Sequence, residues 1–358
     1  MLEKKESYHV IGVMSGTSLD GLDILACRLY KKKDEWFYEI IDAKTNFYSD
    51  KWRKKLRKAH QNSPKKLEKL DEKFGEYTAK KIEKFISKTS FKPDMICSHG
   101  HTVFHQPQKG ITKQIGSGRI ISELTSLPVV HDFRTQDVKL GGQGAPLVPF
   151  GDKLLFSTYQ YCLNLGGFAN ISFEEKGERV AYDVCPVNII LNKLSKVMGV
   201  PYDDEGKIAE GGSLNQTFFD QLNSLSYYKA TYPKSLGREW TRDEIKPLIK
   251  QKKLMLTKDI MHTFCEHMAY QIARSIRKKG KILVTGGGAY NKFLIDRINN
   301  YLPKKAELVV PDKKTVEFKE ALIFALLGVL KVRGEINTLK SVTGASKDHS
   351  AGKIAFPK

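Results

Sequence analysis

Residues 8–30, YHVIGVMSGTSLDGLDILACRLY, decide the fold of this chain. Two apolar segments, Tyr8–Val13 and Leu22–Tyr30, flank a turn rich in glycine, hydroxyl and aspartate residues. This pattern predicts a strand, a tight turn and a returning strand. Because glycine lets main-chain N–H groups approach a phosphate closely, the turn is either an anion-binding loop or an ordinary hairpin.

Two more glycine-rich turns follow apolar strands later in the chain. The turn NLGGFAN at 164–170 follows a predicted strand at Tyr161–Leu165, and TGGGAYN at 285–291 follows one at Lys281–Thr285. A single turn of this kind is weak support for a binding site. Three of them, each at a strand end, favour a nucleotide site as strongly as they favour ordinary turns.

The remaining pattern predicts an α/β protein, because a strand-rich segment followed by helices occurs twice. Further strands are predicted at Trp36–Ile41, Asp94–Ser98, Thr112–Ile115, Pro128–His131, Phe168–Phe173, Arg179–Asp183 and Glu307–Val310. Helices are predicted at Asn188–Met198, Leu214–Leu225, Thr257–Lys278, Lys292–Tyr301 and Phe318–Lys331, and one amphipathic helix across Lys51–Lys88. The run GGQGAPLVP at 141–149 is loop chemistry and a candidate crossover between domains.

Length and composition agree with two soluble domains. A chain of 358 residues, 41% apolar, is long enough for more than one core. No apolar run reaches the roughly 18 residues that span a bilayer, and the N-terminus lacks the apolar region of a secretory signal. We therefore expect a soluble, cytoplasmic protein without membrane association. The five cysteines, an odd number with no C-x-x-C pair, are expected to be reduced thiols, several of them packed in strands.

The net charge of +20 does not by itself indicate a nucleic-acid partner. The lysines are spread thinly along the chain, and the densest stretch interleaves them with acids at helical spacing. Motifs of other enzyme classes are missing: there is no GxxxxGK[ST], no Rossmann glycine signature and no HExxH. We expect a small-molecule ligand and no nucleic acid.

The order of the motifs resembles the anhydro-N-acetylmuramic acid kinase family of the actin/hexokinase ATPase superfamily. The blocks that carry the resemblance are GVMSGTSLDGLD (12–23), SHGHTVFHQP (98–107), QIG (114–116), PVVHDFRTQD (128–137), GGQGAPLVP (141–149), NLGGFANI (164–171), YDVCPVN (182–188), VTGGGAYN (284–291), EALIFALL (320–327) and SVTGAS (341–346). They span nearly the whole chain, and the first and fifth are highly specific.

The resemblance implies two RNase H-like domains of the actin ATPase type with a central cleft. The first, residues 1–140, would hold one phosphate loop, and the C-terminal tail 335–358 is expected to pack back on it. The second, residues 141–335, would hold the other phosphate loop and the adenosine loop. The family also implies a homodimer.

The resemblance further implies ATP and Mg²⁺. The residues implied for ATP are Gly16, Thr17, Ser18, Leu19, Asp20, Gly21, Leu22 and Asp23 of the first loop, Gly166 and Gly167 of the second, and Gly286, Gly287 and Gly288 of the third. Asp20 and Asp23 supply hard oxygen atoms that suit Mg²⁺ or its waters.

The implied reaction opens the 1,6-anhydro ring of anhydro-N-acetylmuramic acid with water and phosphorylates the freed O6. The product is N-acetylmuramic acid 6-phosphate, in the recycling of peptidoglycan. Asp183 matches the catalytic aspartate of the family and would act as the base that takes a proton from water. From the residues alone, an N-cap of the following helix is the stronger interpretation of Asp183.

The same resemblance implies six sugar-binding residues: Thr17, His99, Asp132, Arg134, Glu320 and Asn188. The Arg134 guanidinium suits the lactyl carboxylate of a muramic acid, although a structural salt bridge with Asp132 or Asp137 is the alternative. Glu320 opens the last predicted helix, where an acid is also favourable without any ligand.

Three histidines, His99, His101 and His105, lie close together in a segment predicted as a loop. Their spacing is compatible with metal ligands, but no acid is near in sequence. Sugar contacts or hydrogen bonds are the favoured interpretation.

The chain departs from the family pattern at three places. Cys185-Pro186-Val187-Asn188 replaces a Gly-Pro-Gly-Asn run, Ser117-Gly118 replaces an Asp-Pro pair, and His101 replaces a common Gln. Two glycines are thus lost where the main chain was expected close to a ligand. A shifted sugar specificity is one consequence, and a superfamily kinase acting on another sugar stays open.

Two other classes of function also stay open. One is an actin-like ATP-binding scaffold that polymerises, and the other is a nucleic-acid-binding protein that relies on the basic charge.

Overall fold

The computed structural model describes residues 4–252 and 254–358 and divides into two compact units. One unit comprises the chain up to Leu155 together with Phe318–Lys358, and the other comprises Phe156–Glu317. The predicted domains, residues 1–140 and 141–335, stay a prediction. The compact units differ from them because the segment before Leu155 packs on the last long helix, as described below.

The described residues form the strands β1 Ser7–Ser15, β2 Gly21–Lys32, β3 Glu35–Phe47, β4 Met95–Gln106, β5 Ile111–Ile115, β6 Val129–His131, β7 Tyr161–Leu165, β8 Phe168–Glu175, β9 Glu178–Pro186, β10 Gly280–Thr285, β11 Ala306–Val309 and β12 Lys353–Ala355. The α-helices are α1 Asp50–Arg57, α2 Pro64–Ile86, α3 Gly118–Thr125, α4 Thr135–Lys139, α5 Val148–Leu155, α6 Asn188–Val197, α7 Lys207–Glu210, α8 Gln216–Asn223, α9 Arg238–Trp240, α10 Lys246–Gln251, α11 Thr257–Ser275, α12 Lys292–Tyr301, α13 Lys313–Arg333 and α14 Lys340–Thr343.

The sheet of the first unit has the order β12-β6-β4-β1-β2-β3, and β5 pairs with the outer end of β4. The first three strands form an antiparallel meander, whereas β4 runs parallel to β1 and β6 runs parallel to β4. At the edge, β12 from the C-terminal tail pairs with β6. The tail therefore lies on the first unit.

The second unit repeats this arrangement in the order β11-β10-β7-β8-β9. The strands β7, β8 and β9 again form an antiparallel meander, and β10 and β11 continue the sheet in parallel with β7. The order β3-β2-β1-β4-β6 of the first unit thus corresponds to β9-β8-β7-β10-β11 of the second, and β5 and β12 are additions to the first sheet. This is the RNase H-like order of actin-type ATPases, so the predicted α/β fold class is confirmed.

The packing of α5 on α13 explains why the chain up to Leu155 belongs to the first unit. A Cβ on Gly151 would lie 2.5 Å from Cγ2 of Ile323, so only glycine lets these helices approach this closely. Lys319 and Asp152 form a buried ion pair at 3.1 Å between the same two helices. Gly12 of β1 brings the sheet equally close, since its Cβ would lie 2.2 Å from the carbonyl oxygen of Ala321.

The stretch Lys51–Lys88, predicted as one helix, forms two helices with a 3₁₀ turn between them. Pro64 occupies the first turn of α2, and Ser63 before it is extended, with ψ at 157°. A residue before proline is excluded from helical backbone angles, so the chain must break here. The apolar face we predicted is nevertheless buried, as Leu67, Leu70 and Phe74 illustrate.

All five cysteines are free and buried, as expected from their spacing. Within the described ranges, no helix has both the length and the apolar character to cross a bilayer.

Candidate functional site

The first glycine-rich turn lies at the end of the antiparallel pair β1–β2. Leu19 adopts a left-handed conformation with φ at 65°, and its N–H reaches the carbonyl oxygen of Gly16 at 3.4 Å. The side chains of Thr17, Ser18 and Asp20 are exposed at this tip. The turn therefore presents two hydroxyl groups and one carboxylate to solvent at the end of a rigid hairpin.

The next residues of the predicted ATP loop serve the hairpin itself. Gly21 already belongs to β2, and a Cβ there would lie 2.7 Å from Cγ2 of Thr45 on β3. The side chain of Leu22 is buried in the core. Only the main chain of these two residues is thus left for a contact with phosphate.

The two aspartates predicted to bind Mg²⁺ have different surroundings. Asp20 is exposed, while Asp23 is half-buried and accepts a hydrogen bond from Oγ1 of Thr45 at 2.6 Å. In the part of the chain that the structure describes, no three His, Cys, Asp or Glu residues cluster as metal ligands. Mg²⁺ commonly takes one or two carboxylates and fills its other positions with water and substrate phosphates, and its binding here stays a prediction. Asp20 is the better placed of the two.

A buried hydrogen-bonded chain that the sequence analysis missed supports the base of this turn. The hydroxyl of Ser15, the last residue of β1, lies 2.7 Å from the hydroxyl of Tyr48 and 3.0 Å from Nδ1 of His101. Burial lowers the pKa of His101 to about 4, so the ring is neutral near pH 7. His101 thus helps to fix the end of β1.

Arg134, His99 and Glu320 form a second cluster in the first unit. Nε of Arg134 donates to Nε2 of His99 at 2.9 Å, and Nη1 donates to the carbonyl oxygen of Gly144 at 2.6 Å. Burial lowers the pKa of Arg134 to about 10, although the negative charges of Glu320 and Asp137 act to raise it. Because Arg134 bonds to His99 and Gly144, the alternative of a salt bridge with Asp132 or Asp137 is not what holds it.

Glu320 lies well inside α13 and not at the start of a helix, because that helix begins at Lys313. Asp312 provides the cap: its carboxylate accepts from both N and Oγ1 of Thr315. Burial raises the pKa of Glu320, while Lys319 and Arg134 act to lower it. The interpretation of Glu320 as an acid that merely favours a helix N-terminus is therefore wrong.

Asp132, the other predicted sugar ligand in this segment, already has partners within the protein. Its carboxylate accepts from Oγ1 of Thr135 at 2.5 Å and forms an ion pair with Lys353 at 2.7 Å. Burial acts to raise the pKa of Asp132, but these contacts bring it below its usual value. Asp132 thus joins α4 to the C-terminal strand, and its contact with sugar stays a prediction.

The three histidines lie on β4 and not in a loop. His99 and His101 have the partners given above, and Nδ1 of His105 lies 3.2 Å from Oγ1 of Thr112. In the described ranges they belong to no metal cluster. The interpretation as hydrogen-bonding residues is therefore the better one.

In the second unit, the turn Gly166–Gly167 is fastened to the start of α6. The N–H groups of Val187 and Ile189 donate to the carbonyl oxygen of Gly167 at 2.9 and 3.2 Å, and that of Asn188 donates to Gly166. The side-chain amide of Asn188 also donates to the carbonyl oxygen of Leu165 at 3.2 Å. Asn188 is thus a direct support of the turn.

The third glycine turn comes close to the second because β10 and β7 are parallel neighbours whose ends are in register. A Cβ on Gly286, whose φ is 82°, would lie 2.9 Å from the carbonyl carbon of Leu165, and one on Gly288 would lie 2.7 Å from the Cβ of Leu165. A Cβ on Gly287 would lie 3.8 Å from Nδ2 of Asn188. The structure thus brings both predicted loops of this unit and Asn188 together around Leu165.

Asp183 lies on β9, and the main chain and a tyrosine hold it in place. Its Oδ2 accepts from the N–H of Leu236 at 2.9 Å, and its carbonyl oxygen accepts from the hydroxyl of Tyr227 at 2.5 Å. Burial raises the pKa of the Asp183 carboxyl, and the Leu236 N–H acts to lower it. A raised pKa makes a carboxylate a better proton acceptor, which suits a general base.

The alternative role of Asp183 as a helix N-cap is wrong. The helix α6 begins at Asn188, its N-cap is Val187, and no side chain caps it. The main-chain contacts with Gly166 and Gly167 satisfy its first N–H groups instead.

The departures from the family pattern have structural roles. Cys185 and Val187 are fully buried in the core of the second unit, so the two added side chains point into the protein. Ser117 caps α3 by accepting from the N–H of Ile120, and a Cβ on Gly118 would lie 2.3 Å from the ring of His131.

Comparisons with known proteins agree with these motifs. The family model described as "Anhydro-N-acetylmuramic acid kinase" matches residues 8–357. The chain is 30% identical to the anhydro-N-acetylmuramic acid kinase of Caldanaerobacter subterraneus subsp. tengcongensis, over 98% of each chain. It is 32% identical to that of Sulfurimonas denitrificans, over 97% of this chain and 99% of that one.

Among solved structures, component A of the (R)-2-hydroxyglutaryl-CoA dehydratase of Acidaminococcus fermentans aligns with a TM-score of 0.47 and 13% identity, over 91% of this chain and 99% of that one. That similarity is too low to add to what the strand order shows about the fold.

Proposed function

Because the chain belongs to the anhydro-N-acetylmuramic acid kinase family, we propose that it opens the anhydro ring of this sugar with water and phosphorylates the freed O6 from ATP. The product is N-acetylmuramic acid 6-phosphate, and the pathway is the recycling of peptidoglycan. The match of the family model to residues 8–357 carries this proposal. The surroundings of Asp183, which favour a general base, support it independently.

In the proposed reaction, Asp183 takes one proton from the water that attacks the anomeric carbon. The bond from that carbon to O6 breaks, and O6 attacks the γ-phosphorus of ATP as ADP leaves. The hydrogen bonds from Leu236 and Tyr227 hold Asp183 in one position, which such a proton transfer requires. No other residue needs to change its protonation state for these steps to balance.

Recognition of the sugar falls to Arg134, Glu320 and His99, with Thr17, Asp132 and Asn188 as further contacts. A guanidinium binds a carboxylate through two parallel hydrogen bonds, so Arg134 suits the lactyl group. Glu320, with its raised pKa, is able to donate a hydrogen bond when protonated and to accept one when ionised.

Binding of ATP falls to the three glycine turns. The tip of the first turn offers Thr17, Ser18 and Asp20 to the phosphates and to Mg²⁺, which neutralises phosphate charge when it is bound. The Gly166–Gly167 turn offers main-chain groups to the phosphates, and Gly286–Gly288 lies beside the adenosine. The convergence of the second and third turns around Leu165 supports this assignment.

We further propose that the enzyme works in the cytoplasm, where ATP is made, and as a homodimer, with neither nucleic acid nor membrane as a partner. The thin spread of lysines along the chain supports the absence of a nucleic-acid partner.

A kinase assay coupled to ADP release, run over a panel of sugars, tests the function. The panel includes anhydro-N-acetylmuramic acid, anhydro-N-acetylglucosamine, N-acetylmuramic acid and N-acetylmannosamine. Mass spectrometry should show that the preferred product has gained both one water and one phosphoryl group. A product with phosphate but no added water, or a preference for a sugar without an anhydro ring, would instead support the related sugar kinase with a shifted substrate.

A further inference from the structure

A basic cavity of about 370 Å³ opens in the second unit between the segment 228–234 and the C-terminal end of α11. Small-molecule sites commonly have about 300–1,000 Å³, so this space is large enough for a monosaccharide derivative. Part of its wall is formed by Tyr182 and Tyr232, whose rings stack at 5.4 Å. We refer to it as the basic cavity.

Four cationic side chains line the basic cavity: Lys229, Lys234, Arg274 and Arg277. No carboxylate is among its lining residues in the described part of the chain. The carboxylate of Glu175 lines the small adjoining cavity and accepts a hydrogen bond from the hydroxyl of Tyr232. Burial and then repulsion from Arg274 lower the pKa of Lys234. Lys234 and Arg274 thus repel one another, and an anion bound between them would remove that cost.

One cation of the cavity is connected to Asp183 through main-chain and side-chain contacts. Nζ of Lys234 donates to the carbonyl oxygen of Tyr227 at 3.1 Å and lies 4.6 Å from the centre of its ring. The hydroxyl of Tyr227 donates to the carbonyl oxygen of Asp183. The carbonyl oxygen of Lys234 accepts from the N–H of Asp183 at 3.4 Å, and Leu236 follows two residues later.

The pairing of β9 with β8 is irregular beside Asp183: Ala169 pairs with Cys185 and Asn170 pairs with Asp183, which leaves Val184 as an extra residue on β9. Tyr182 and Val184, the two chain neighbours of Asp183, line the basic cavity. The base and the cavity therefore adjoin the same stretch of one strand. The segment 227–236 contacts both.

We infer that the basic cavity binds the phosphomonoester of a small sugar and that the bound phosphate draws Lys234 away from Tyr227, which slows turnover at Asp183. A phosphomonoester carries a charge near −2 and three acceptor oxygens, which matches a cavity lined by four cations better than a carboxylate does. The volume leaves room for a sugar ring beside the phosphate. The binding site stands on the cavity alone, whereas its effect on turnover rests on the proposed function.

Calorimetry on the full chain tests binding, with N-acetylglucosamine 6-phosphate, inorganic phosphate and N-acetylglucosamine as probes. The variant Arg274→Ala/Arg277→Ala removes two cations whose side chains are exposed, so it should fold. Lys304→Ala, at an exposed lysine between α12 and β11 that does not line the cavity, is the control for loss of a positive charge elsewhere, although it removes one charge and the double variant removes two. Arg134→Ala reports whether the probe occupies the proposed catalytic site instead.

We expect the sugar phosphate to bind the unmodified protein, the Lys304→Ala control and Arg134→Ala equally, and the double variant at least about tenfold more weakly, since two charge-assisted contacts are lost. N-acetylglucosamine should not bind. Equal binding by the double variant would overturn the site, and loss of binding in Arg134→Ala would assign the probe to the catalytic site. If inorganic phosphate binds as tightly as the sugar phosphate, the assignment of a sugar ester is wrong.

Steady-state kinetics test the effect on turnover. N-acetylglucosamine 6-phosphate should lower kcat at saturating ATP and sugar, and Arg274→Ala/Arg277→Ala should relieve this inhibition while keeping its turnover without the probe. Inhibition that raises only the KM for sugar, or that persists in the double variant, would overturn the connection to Asp183. A protein that binds the probe but turns over no muramic sugar would overturn the proposed function and leave the binding site standing.

Discussion

Arg134 and His99 form a hydrogen bond whose direction is fixed: Nε of the guanidinium donates to Nε2 of the imidazole at 2.9 Å. Because arginine only donates, Nε2 of His99 must be unprotonated. The single proton of the ring is then on Nδ1, which donates to the carbonyl oxygen of Gly100 at 2.9 Å. Burial, followed by the charge of Arg134, lowers the pKa of His99 well below its usual value, so this tautomer persists at pH 7.

We therefore predict that His99→Ala raises the KM for sugar. An arginine that loses a buried acceptor also loses its orientation, and hydrogen bonds to charged groups contribute about 1.5–3 kcal/mol, or roughly ten- to a hundredfold in affinity. The KM for ATP should stay near its original value. Steady-state kinetics with each substrate varied in turn measure both.

The variant His99→Gln separates positioning from simple packing. The glutamine carbonyl is able to accept from Arg134, so it should recover part of the affinity for sugar. His60→Ala, at an exposed histidine of the same unit, is the control and should behave as the unmodified protein. If the Gln and Ala variants at position 99 are equally impaired, the hydrogen bond to Arg134 is not what matters.

Replacement of Arg134 should raise the KM for sugar more than replacement of His99 does. Arg134→Ala is expected to raise the KM for sugar far more than the KM for ATP, because it removes the two-pronged partner of the lactyl carboxylate. Arg134→Lys keeps the charge but loses the planar fork, so it should recover little of the loss. Equal changes in the two KM values would contradict a role in sugar recognition.

Asp183→Asn should abolish turnover and leave ATP binding intact, because the amide keeps the shape of the side chain but cannot accept a proton. Calorimetry with ATP and the coupled assay give the two readouts. Asp220→Asn, at an exposed aspartate on α8, is the control for loss of one carboxylate. Turnover near the original rate in the Asp183 variant would remove this residue from the mechanism.

The pH profile gives a second test of Asp183. Burial raises its pKa above the usual value, and the base works only when it is ionised. Activity should therefore be lost as the pH falls through this raised pKa, so the acidic limb of the kcat/KM profile, which reports the free enzyme, should lie above pH ~3.9, the ordinary value for aspartate. An acidic limb at or below the ordinary value would contradict the raised pKa of the catalytic base.

Local sequence signals predicted the elements that local chemistry determines. Apolar segments on both sides of a glycine turn are sufficient to predict the β1–β2 and β7–β8 hairpins. Two predictions that the structure corrects, the single helix across Lys51–Lys88 and the start of the last long helix, have local signals against them in the sequence. Ser63-Pro64 breaks the predicted helix across Lys51–Lys88, and Asp312 marks the true start of α13 through its cap.

The surroundings of the site residues could not be predicted, because their partners are distant in sequence. Tyr227 and Leu236 lie 44 and 53 residues beyond Asp183, in a segment without a motif. His99 and Arg134 are 35 residues apart and meet only because β4 and β6 are neighbours in the sheet. No periodic pattern in one sequence contains this information. The pattern predicted which side chains carry chemistry, whereas tertiary packing determines what holds them.

The main chain at Gly286 approaches the end of β7 closely. Gly286→Ala should lower the stability of the second unit and raise the KM for ATP. Gly286 has φ 82° and ψ 164°, a conformation that is essentially restricted to glycine and costs another residue about 1–3 kcal/mol, and an alanine Cβ there would lie 2.7 Å from Oδ1 of Asn164. Overpacking adds about 1–3 kcal/mol. The added Cβ presses on the end of β7, directly before the Gly166–Gly167 turn.

Gly177→Ala is a control for an alanine at a positive φ without a close contact. Gly177 has almost the same φ, 84°, at the β8–β9 turn, but no atom lies within 4 Å of the added Cβ. The Gly177→Ala variant should lower the melting temperature slightly and leave the KM for ATP unchanged. Thermal unfolding and steady-state kinetics on both variants separate the two effects. Equal losses of stability with an unchanged KM for ATP in both would mean that the close contact between Gly286 and the β7 end plays no part in ATP binding.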